Sequence, residues 1–377
     1  MDRRIPVVFS GGGTGGHLYP ALALADALGA LRPDLRPVFL GARRGVEARV
    51  LPERGAEHLL VPIRGLDRTG GIRGNLGVPW SVVRSLGQVL RWFRGLQPQL
   101  VVVTGGYAGA PAGLVAAGLG IPLALQEQNA VPGLTTRILA GRARQIHLAY
   151  PEAGERLPAG ARAAIRISGN PVRPPVARDP GEARRALGLD PRRPTVLVVG
   201  GSQGSLALNR AVTGLVREAG GDPGYQMLWS TGPRHLAAVE ASLREAGDPS
   251  WVHATGYIDD MPSALAAADL AVSRAGAMAT SEFLAWGLPA VLVPLPTAAA
   301  DHQTRNAQAL EEAGCAVHLP ETDLDGAMLA RRVRELMADP EARSRMARSA
   351  TERGRPEAAR EIAEALATLL PTPEDGA

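Results

Sequence analysis

Short apolar runs alternate with longer stretches whose apolar positions recur at helical spacing, from residue 5 to about residue 319. That alternation predicts repeated βα units, hence an α/β chain with parallel sheets covered by helices on both faces. In the first half, strands are expected at 6–10, 36–40, 58–61, 100–104, 122–125 and 145–148. In the second they are expected at 195–199, 226–230, 252–255, 270–273, 290–293 and 316–319. Each series opens on an apolar strand, a glycine-rich turn and a helix: VVFSGGGTGGH at 7–17 and VLVVGGSQGS at 196–205. The echo predicts two Rossmann-like doubly wound parallel-sheet domains facing a central cleft at the carboxyl ends of their strands. Prolines crowd the stretch 151–194 and place the hinge near 170–175. The expected domains are therefore 1–170 and 171–355, with a last helix at about 356–370 packing back on the first and the tail PTPEDGA frayed. The uncharged stretch 95–126 is long enough to suggest a membrane span. Pro98, Pro111 and Pro122 divide it into strand, helix and strand instead.

Composition narrows the chemistry. All 41 basic residues among the 377 are arginine, which excludes a Walker A lysine, a pyridoxal Schiff base and any lysine base. The single cysteine, Cys315, allows no internal disulfide, so a reducing compartment, the cytoplasm, is expected. The apolar run at 5–9 is too short for a secretory segment. The net charge of +4 is unevenly placed: residues 68–151 hold eight arginines against one acid, Glu127, a local +7 that leaves −3 for the rest. With only 4% aromatics and no nucleic-acid motif, this basic region points to an anionic membrane surface or a phosphorylated ligand rather than to nucleic acid.

Five glycines in 11–16 leave bare amides at the start of a helix, a setting that suits phosphate. Gly11, Gly13 and Gly16 also satisfy G-x-G-x-x-G, but the next strand ends Leu40-Gly41-Ala42-Arg43 with no acid for a ribose, which argues against NAD. Arg43 and Arg44 keep an NADP enzyme open as an alternative. His17 follows the loop, either as a general base or as a structural or substrate-contacting residue. The turn 200–205 forms a second cradle, and Gly105-Gly106-Tyr107 a third glycine turn. In 273–282, loop amides open a helix and Glu282 is either an acceptor for a ribose diol or an ordinary acid near a helix start. Asp323-Leu324-Asp325 is expected to cap a helix rather than hold a metal. The other six histidines, at 58, 147, 235, 253, 302 and 318, lack metal-ligand spacing, and no metal site and no cofactor are expected.

Taken together, GGGTGGHLYP (11–20), GGY (105–107), EQN (127–129), GNPVR (169–173), GGSQGS (200–205), YIDDM (257–261), SRAGAMATSE (273–282) and DHQTRNA (301–307) resemble the MurG family of GT-B glycosyltransferases. These are UDP-N-acetylglucosamine:N-acetylmuramyl-(pentapeptide)-pyrophosphoryl-undecaprenol N-acetylglucosaminyltransferases of bacterial peptidoglycan synthesis. The motifs run in family order over nearly the whole chain. The resemblance implies that the second domain binds UDP-N-acetylglucosamine (UDP-GlcNAc). The backbone at Ile258 would meet the uracil, Glu282 the ribose hydroxyls, and Ser202 with its turn the diphosphate. Ala277, Met278, Ala279, Thr280, Ser281 and Gln303 would address the donor and its sugar, and Arg173 at the hinge would also contact it. Thr14, Gly15, Gly16 and Asn129 would complete the donor set, while His17, Tyr107 and Glu127 look like acceptor-side or catalytic residues. Where the family often has a histidine before EQN, this chain has Gln126, so no role for that histidine carries over.

The implied reaction is an inverting, metal-independent transfer of GlcNAc to the muramic acid 4-hydroxyl of undecaprenyl-diphospho-MurNAc-pentapeptide. The implied location is peripheral, at the cytoplasmic face of the cell membrane. Ile72, Leu76 and Trp80, set among Arg73 and Arg84, are expected to meet anionic lipid, and Val82, Val83 and Leu86 to form the buried face of a helix beginning near Pro79. Another UDP-sugar enzyme of the same fold, an NADP oxidoreductase and a nucleotide sensor remain the alternatives on residues alone.

Overall fold

The computed structural model describes residues 4–65 and 77–372. The chain divides into two compact units, one running to Val172 and resuming at Glu357, the other Arg173–Pro356.

The first unit carries strands β1 (Ile5–Gly11), β2 (Leu35–Ala42), β3 (His58–Val61), β4 (Leu100–Gly105), β5 (Leu123–Glu127), β6 (Gln145–Leu148) and β7 (Ile165–Ile167). They form one parallel sheet in the order β3-β2-β1-β4-β5-β6-β7. The central strands are apolar throughout because helices cover both faces: every residue of β4 is buried. Its helices are α1 (Gly15–Leu31), α2 (Glu47–Glu53), α3 (Val78–Leu96), α4 (Gly106–Leu119) and α5 (Leu134–Leu139). The last helix of the chain, Ala358–Ala367, packs Ile362 and Leu366 into the same apolar cluster as Leu24 and Leu28 of α1.

Two expectations are corrected here. The sheet has a seventh strand, β7, which the pattern did not announce because it is three residues long with Arg166 at its centre. On α3 the buried stripe is Ser81, Ser85, Val89 and Phe93. Val82 and Leu86 flank that stripe and pack on the core. Val83 is two positions past Ser81, about 200° around the helix, and is 60% exposed beside Trp80 at 70%. Ile72, Arg73 and Leu76 lie outside the described residues.

The second unit is a parallel six-stranded sheet in the order β10-β9-β8-β11-β12-β13. Its strands are β8 (Thr195–Val199), β9 (Gln226–Ser230), β10 (Val252–Thr255), β11 (Leu270–Ser273), β12 (Ala290–Leu292) and β13 (Ala316–His318). The helices are α6 (Pro180–Ala186), α7 (Leu206–Ala219), α8 (Leu236–Glu245), α9 (Met261–Ala267), α10 (Ala277–Ala285), α11 (His302–Glu312), α12 (Gly326–Ala338) and α13 (Pro340–Arg353). Asp325 caps α12, accepting the amide of Met328 at 2.7 Å, which accounts for that carboxylate as a helix cap. Among the described residues no helix is long and apolar enough to cross a membrane.

Candidate functional site

In each unit the strand order reverses once, between β1 and β4 in the first and between β8 and β11 in the second. Loops leaving the carboxyl ends at such a point diverge and open a place for ligands. Four of the sequence motifs fall on those loops: GGGTGGHLYP after β1, GGY at the end of β4, GGSQGS after β8 and SRAGAMATSE after β11.

In the first unit β1 runs into the turn 11–14 and α1, with Thr14 at the helix N-cap and its hydroxyl not used as a cap. Glycine is demanded sterically at Gly11, where a Cβ would lie 1.8 Å from Thr104 Oγ1, and at Gly13, whose φ is +92°. His17 sits in the first turn of α1, half-buried. Its Nδ1 lies 3.1 Å from the Thr104 carbonyl and 2.9 Å from Gln128 Oε1, while Thr104 Oγ1 donates to the His17 carbonyl at 2.6 Å. Among the described residues Nε2 meets no hydrogen-bond partner. The end of β4 and the end of β5 thus hold one ring nitrogen and leave the other unoccupied.

Tyr107 stands at the second position of α4, its ring against Gly13 and Gly65. Burial, with the nearby Glu47 carboxylate, raises its phenol above the ordinary value. Glu127, at the end of β5, is 2% exposed. Its carboxylate accepts from the Asn129 amide and side chain, the Gly133 amide and Thr136 Oγ1, the last at 2.6 Å. It is therefore spent on organising the loop that carries Asn129, which favours His17 over Glu127 as a proton acceptor.

Sequence reasoning missed Glu47. It opens α2, is fully buried, and accepts the amides of Gly13 through both oxygens at 3.0 Å and of Ala42 at 2.8 Å. The glycines at 12, 41 and 45 make room for it. Of the turn 11–16, expected to cradle phosphate, the Gly13 amide is thus taken by Glu47. No local signal marks Glu47, since its partners come from β1 and β2.

In the second unit the turn 200–205 has Gly201 and Gly204 at positive φ, +89° and +74°. A Cβ on Gly204 would lie 2.0 Å from the Thr231 carbonyl. Ser202 is exposed, and Ser205 caps α7 through the amide of Leu208. Arg274, just after β11, donates to Ser205 Oγ from Nε at 3.1 Å and Nη2 at 2.7 Å, donates to the carbonyls of Val293 and Pro294, and pairs with Glu321. One arginine, itself just after β11, thus ties together the loops after β8, β12 and β13, a role sequence reasoning did not assign.

The helix α10 follows, presenting the amides of Met278 and Ala279 in its first turn. Ala277 is nearly buried there, as are Thr280 and Ser281, and Thr280 Oγ1 turns inward to the carbonyls of Gly276 and Ala277. Glu282 lies one turn further, its carboxyl pushed up to about 7 by burial, with Arg173 pulling the other way. Ile258 is buried, at 5% exposed. Gln303 Oε1 already accepts the amide of Leu295 at 2.9 Å, which leaves its NH2 group as the donor.

Comparison with known proteins completes the picture. Residues 7–148 match the sequence model of the glycosyltransferase family 28 N-terminal domain, and residues 195–364 that of its C-terminal domain. A relative from Salinibacter ruber, named UDP-N-acetylglucosamine--N-acetylmuramyl-(pentapeptide) pyrophosphoryl-undecaprenol N-acetylglucosamine transferase, is 44% identical over 365 residues, 96% of each chain. A relative of the same name from Moorella thermoacetica is 39% identical over 98% of this chain and 100% of its own. The solved structure of Acinetobacter baumannii MurG matches with a TM-score of 0.79 at 27% identity, covering 97% of this chain and 99% of that one.

Proposed function

The chain belongs to glycosyltransferase family 28, and from that premise we propose that it transfers N-acetylglucosamine from UDP-GlcNAc to the 4-hydroxyl of the N-acetylmuramyl residue of undecaprenyl-diphospho-MurNAc-pentapeptide, with inversion at the anomeric carbon. The observation that carries this reading is the 44% identity along 96% of both chains to a relative named for that donor and that acceptor. Family membership also sets aside the NADP oxidoreductase alternative that Arg43 and Arg44 kept open.

The chemistry follows from the groups described. The acceptor hydroxyl loses its proton to His17 Nε2 as its oxygen bonds to C1 of the sugar, and the bond from C1 to the diphosphate oxygen breaks, releasing UDP. Charge gathers on the diphosphate as it leaves. The turn 200–205 and the start of α7 supply amide dipoles to meet it, and Arg274 adds a positive charge behind them. Glu282 takes the ribose hydroxyls, the Ile258 backbone the base, and Gln303 with the first turn of α10 the sugar. By the family resemblance Thr14, Gly15, Gly16 and Asn129 belong to the donor set, and Tyr107 to the acceptor side.

The acceptor's lipid tail requires work at a bilayer surface, because each methylene withdrawn from it costs about 0.8 kcal/mol. Trp80 and Val83, exposed beside Arg84 on α3, support peripheral binding to an anionic membrane. The cytoplasmic face is the side on which a nucleotide-sugar donor is met.

The test is UDP release by the purified chain from UDP-GlcNAc in vesicles. Release that requires the undecaprenyl-diphospho-MurNAc-pentapeptide is expected. Release with water or a soluble sugar as the only acceptor would point to another enzyme of the fold.

A further inference from the structure

We propose that Gln128, held in place by Gln126 and Asn170, is a positioning residue that fixes the tautomer of His17, keeping the proton on Nδ1 and leaving Nε2 bare. The inference rests on the reading of His17 as the base and extends it to the groups that make it one.

The Gln128 amide can face only one way. Its Nε2 lies 2.7 Å from the Thr104 carbonyl and 3.1 Å from the Gln126 carbonyl, and backbone carbonyls only accept. The NH2 group must therefore be on that side, and Oε1 is the atom that faces His17 Nδ1 at 2.9 Å. The second neighbour of Nδ1 is the Thr104 carbonyl, again an acceptor. Two acceptors around one ring nitrogen require it to carry the hydrogen, so the neutral imidazole has its lone pair on Nε2. The opposite tautomer would set a lone pair against two oxygens and leave both without a donor from the ring.

The orientation does not rest on Gln128 alone. Gln126 Oε1 accepts from Gln128 Nε2, Gln126 Nε2 donates to Asn170 Oδ1 at 2.9 Å, and Asn170 Nδ2 donates to the Gln128 carbonyl at 3.1 Å. The three residues close a ring, completed through the main-chain carbonyl of Gln128, and Gln126, Gln128 and Asn170 are 1%, 1% and 2% exposed. Flipping any one would place like groups face to face where water cannot compensate, leaving buried donors and acceptors unmatched. The glycine turn after β4 allows the arrangement, since a Cβ on Gly105 would come within 3.0 Å of His17 Nδ1.

A base oriented by an amide differs from one oriented by a carboxylate. The amide selects the tautomer without placing a negative charge beside the ring.

The test reads the tautomer directly, by long-range imidazole 1H–15N correlation on the full-length 15N-labelled protein, with the His17 signals identified by their loss in His17→Gln. The wild type is expected to show Nδ1 protonated and Nε2 bare. Gln128→Met should shift His17 toward the Nε2–H form and lower kcat about 10²-fold with KM for UDP-GlcNAc within about twofold, the pattern of a base held in the wrong tautomer. Gln128→Glu keeps an acceptor at Nδ1 while losing the amide's donor bonds, so it should hold the Nδ1–H form and lose less kcat than Gln128→Met. A merely structural role would make the two variants equally poor with no change of tautomer, and that result overturns the proposal. So does an Nε2–H wild type, a reading that needs no variant to fold and no turnover. A wild type with the Nδ1–H form but no transferase activity would contradict the proposed reaction and leave the orientation of His17 standing.

Discussion

Glu47 holds the amide of Gly13 through both carboxylate oxygens at 3.0 Å, across 34 residues of sequence. The glycine-rich turn that opens the first unit is thus shaped by an acid from a different βα unit. Replacing Glu47 by Ala leaves the amides of Gly13 and Ala42 without an acceptor in a buried place, each a loss of about 1–3 kcal/mol. Glu47→Ala should therefore lower the melting temperature and reduce turnover while leaving UDP affinity within about twofold, because the proposed UDP site is on the other unit. Calorimetry with UDP and a thermal melt decide it; weakened UDP binding would assign a phosphate role to the first turn.

Arg274 links three loops through Ser205, the carbonyls at 293 and 294, and Glu321. Hydrogen bonds to a charged group contribute about 1.5–3 kcal/mol each. Arg274→Gln should raise the Kd for UDP at least about tenfold and cost stability as well, since Glu321 loses its partner. An Arg274→Gln protein with native UDP affinity would show that the turn 200–205 keeps its form without the arginine.

Much of the fold was legible because parallel strands buried on both faces read as unbroken apolar runs, as VVVT in β4 and TVLVV in β8 do. The short strand β7, with Arg166 at its centre, carries no such run. Within the site, the glycine turns, His17 and Glu282 were legible because their residue types are tied to local backbone chemistry. Glu47, Gln128 and Arg274 were not, because each acts on a residue brought near by strand order: Gln128 reaches His17 across 111 positions. The mistaken burial of Val83 has a simpler cause: the buried stripe of α3 runs through Ser81, Ser85, Val89 and Phe93, so Val82 and Leu86 lie at its edge and Val83 beyond it.

Glu282 gives the proposed donor site a pH dependence. Burial raises its carboxyl to about 7, so near neutrality a good part of the free protein carries it protonated. A ribose diol donates to the ionised form and so favours it. UDP affinity should therefore rise as pH increases from 6 to 8, by up to about tenfold, and level off above. In the free protein the sign is opposite: a raised carboxyl contributes less stability as pH climbs from 4.5 towards 7. Glu282→Gln should bind UDP more weakly at pH 8 and with no slope between 6 and 8; an unchanged slope in that variant would assign the titration to another group.

The exposed pair on α3 predicts how the protein meets lipid. Trp80 and Val83, at 70% and 60% exposed, should insert at the headgroup boundary while Arg84 attracts anionic lipid at about 1 kcal/mol. Co-sedimentation with anionic vesicles should exceed that with neutral ones and fall with salt. Trp80→Ser with Val83→Ser should reduce it several-fold without changing UDP affinity. Equal binding to both vesicle types would place the contact elsewhere.

The account as a whole turns on one displacement, with His17 as base and UDP as leaving group. Its most direct measurement is NMR of the product formed from α-configured UDP-GlcNAc labelled with 13C at C1 and undecaprenyl-diphospho-MurNAc-pentapeptide in vesicles, for the wild type and His17→Ala. The account predicts a β(1→4) linkage in the wild type, with turnover at least about tenfold lower in His17→Ala at unchanged UDP affinity. An α-linked product, or full turnover in His17→Ala, would contradict it.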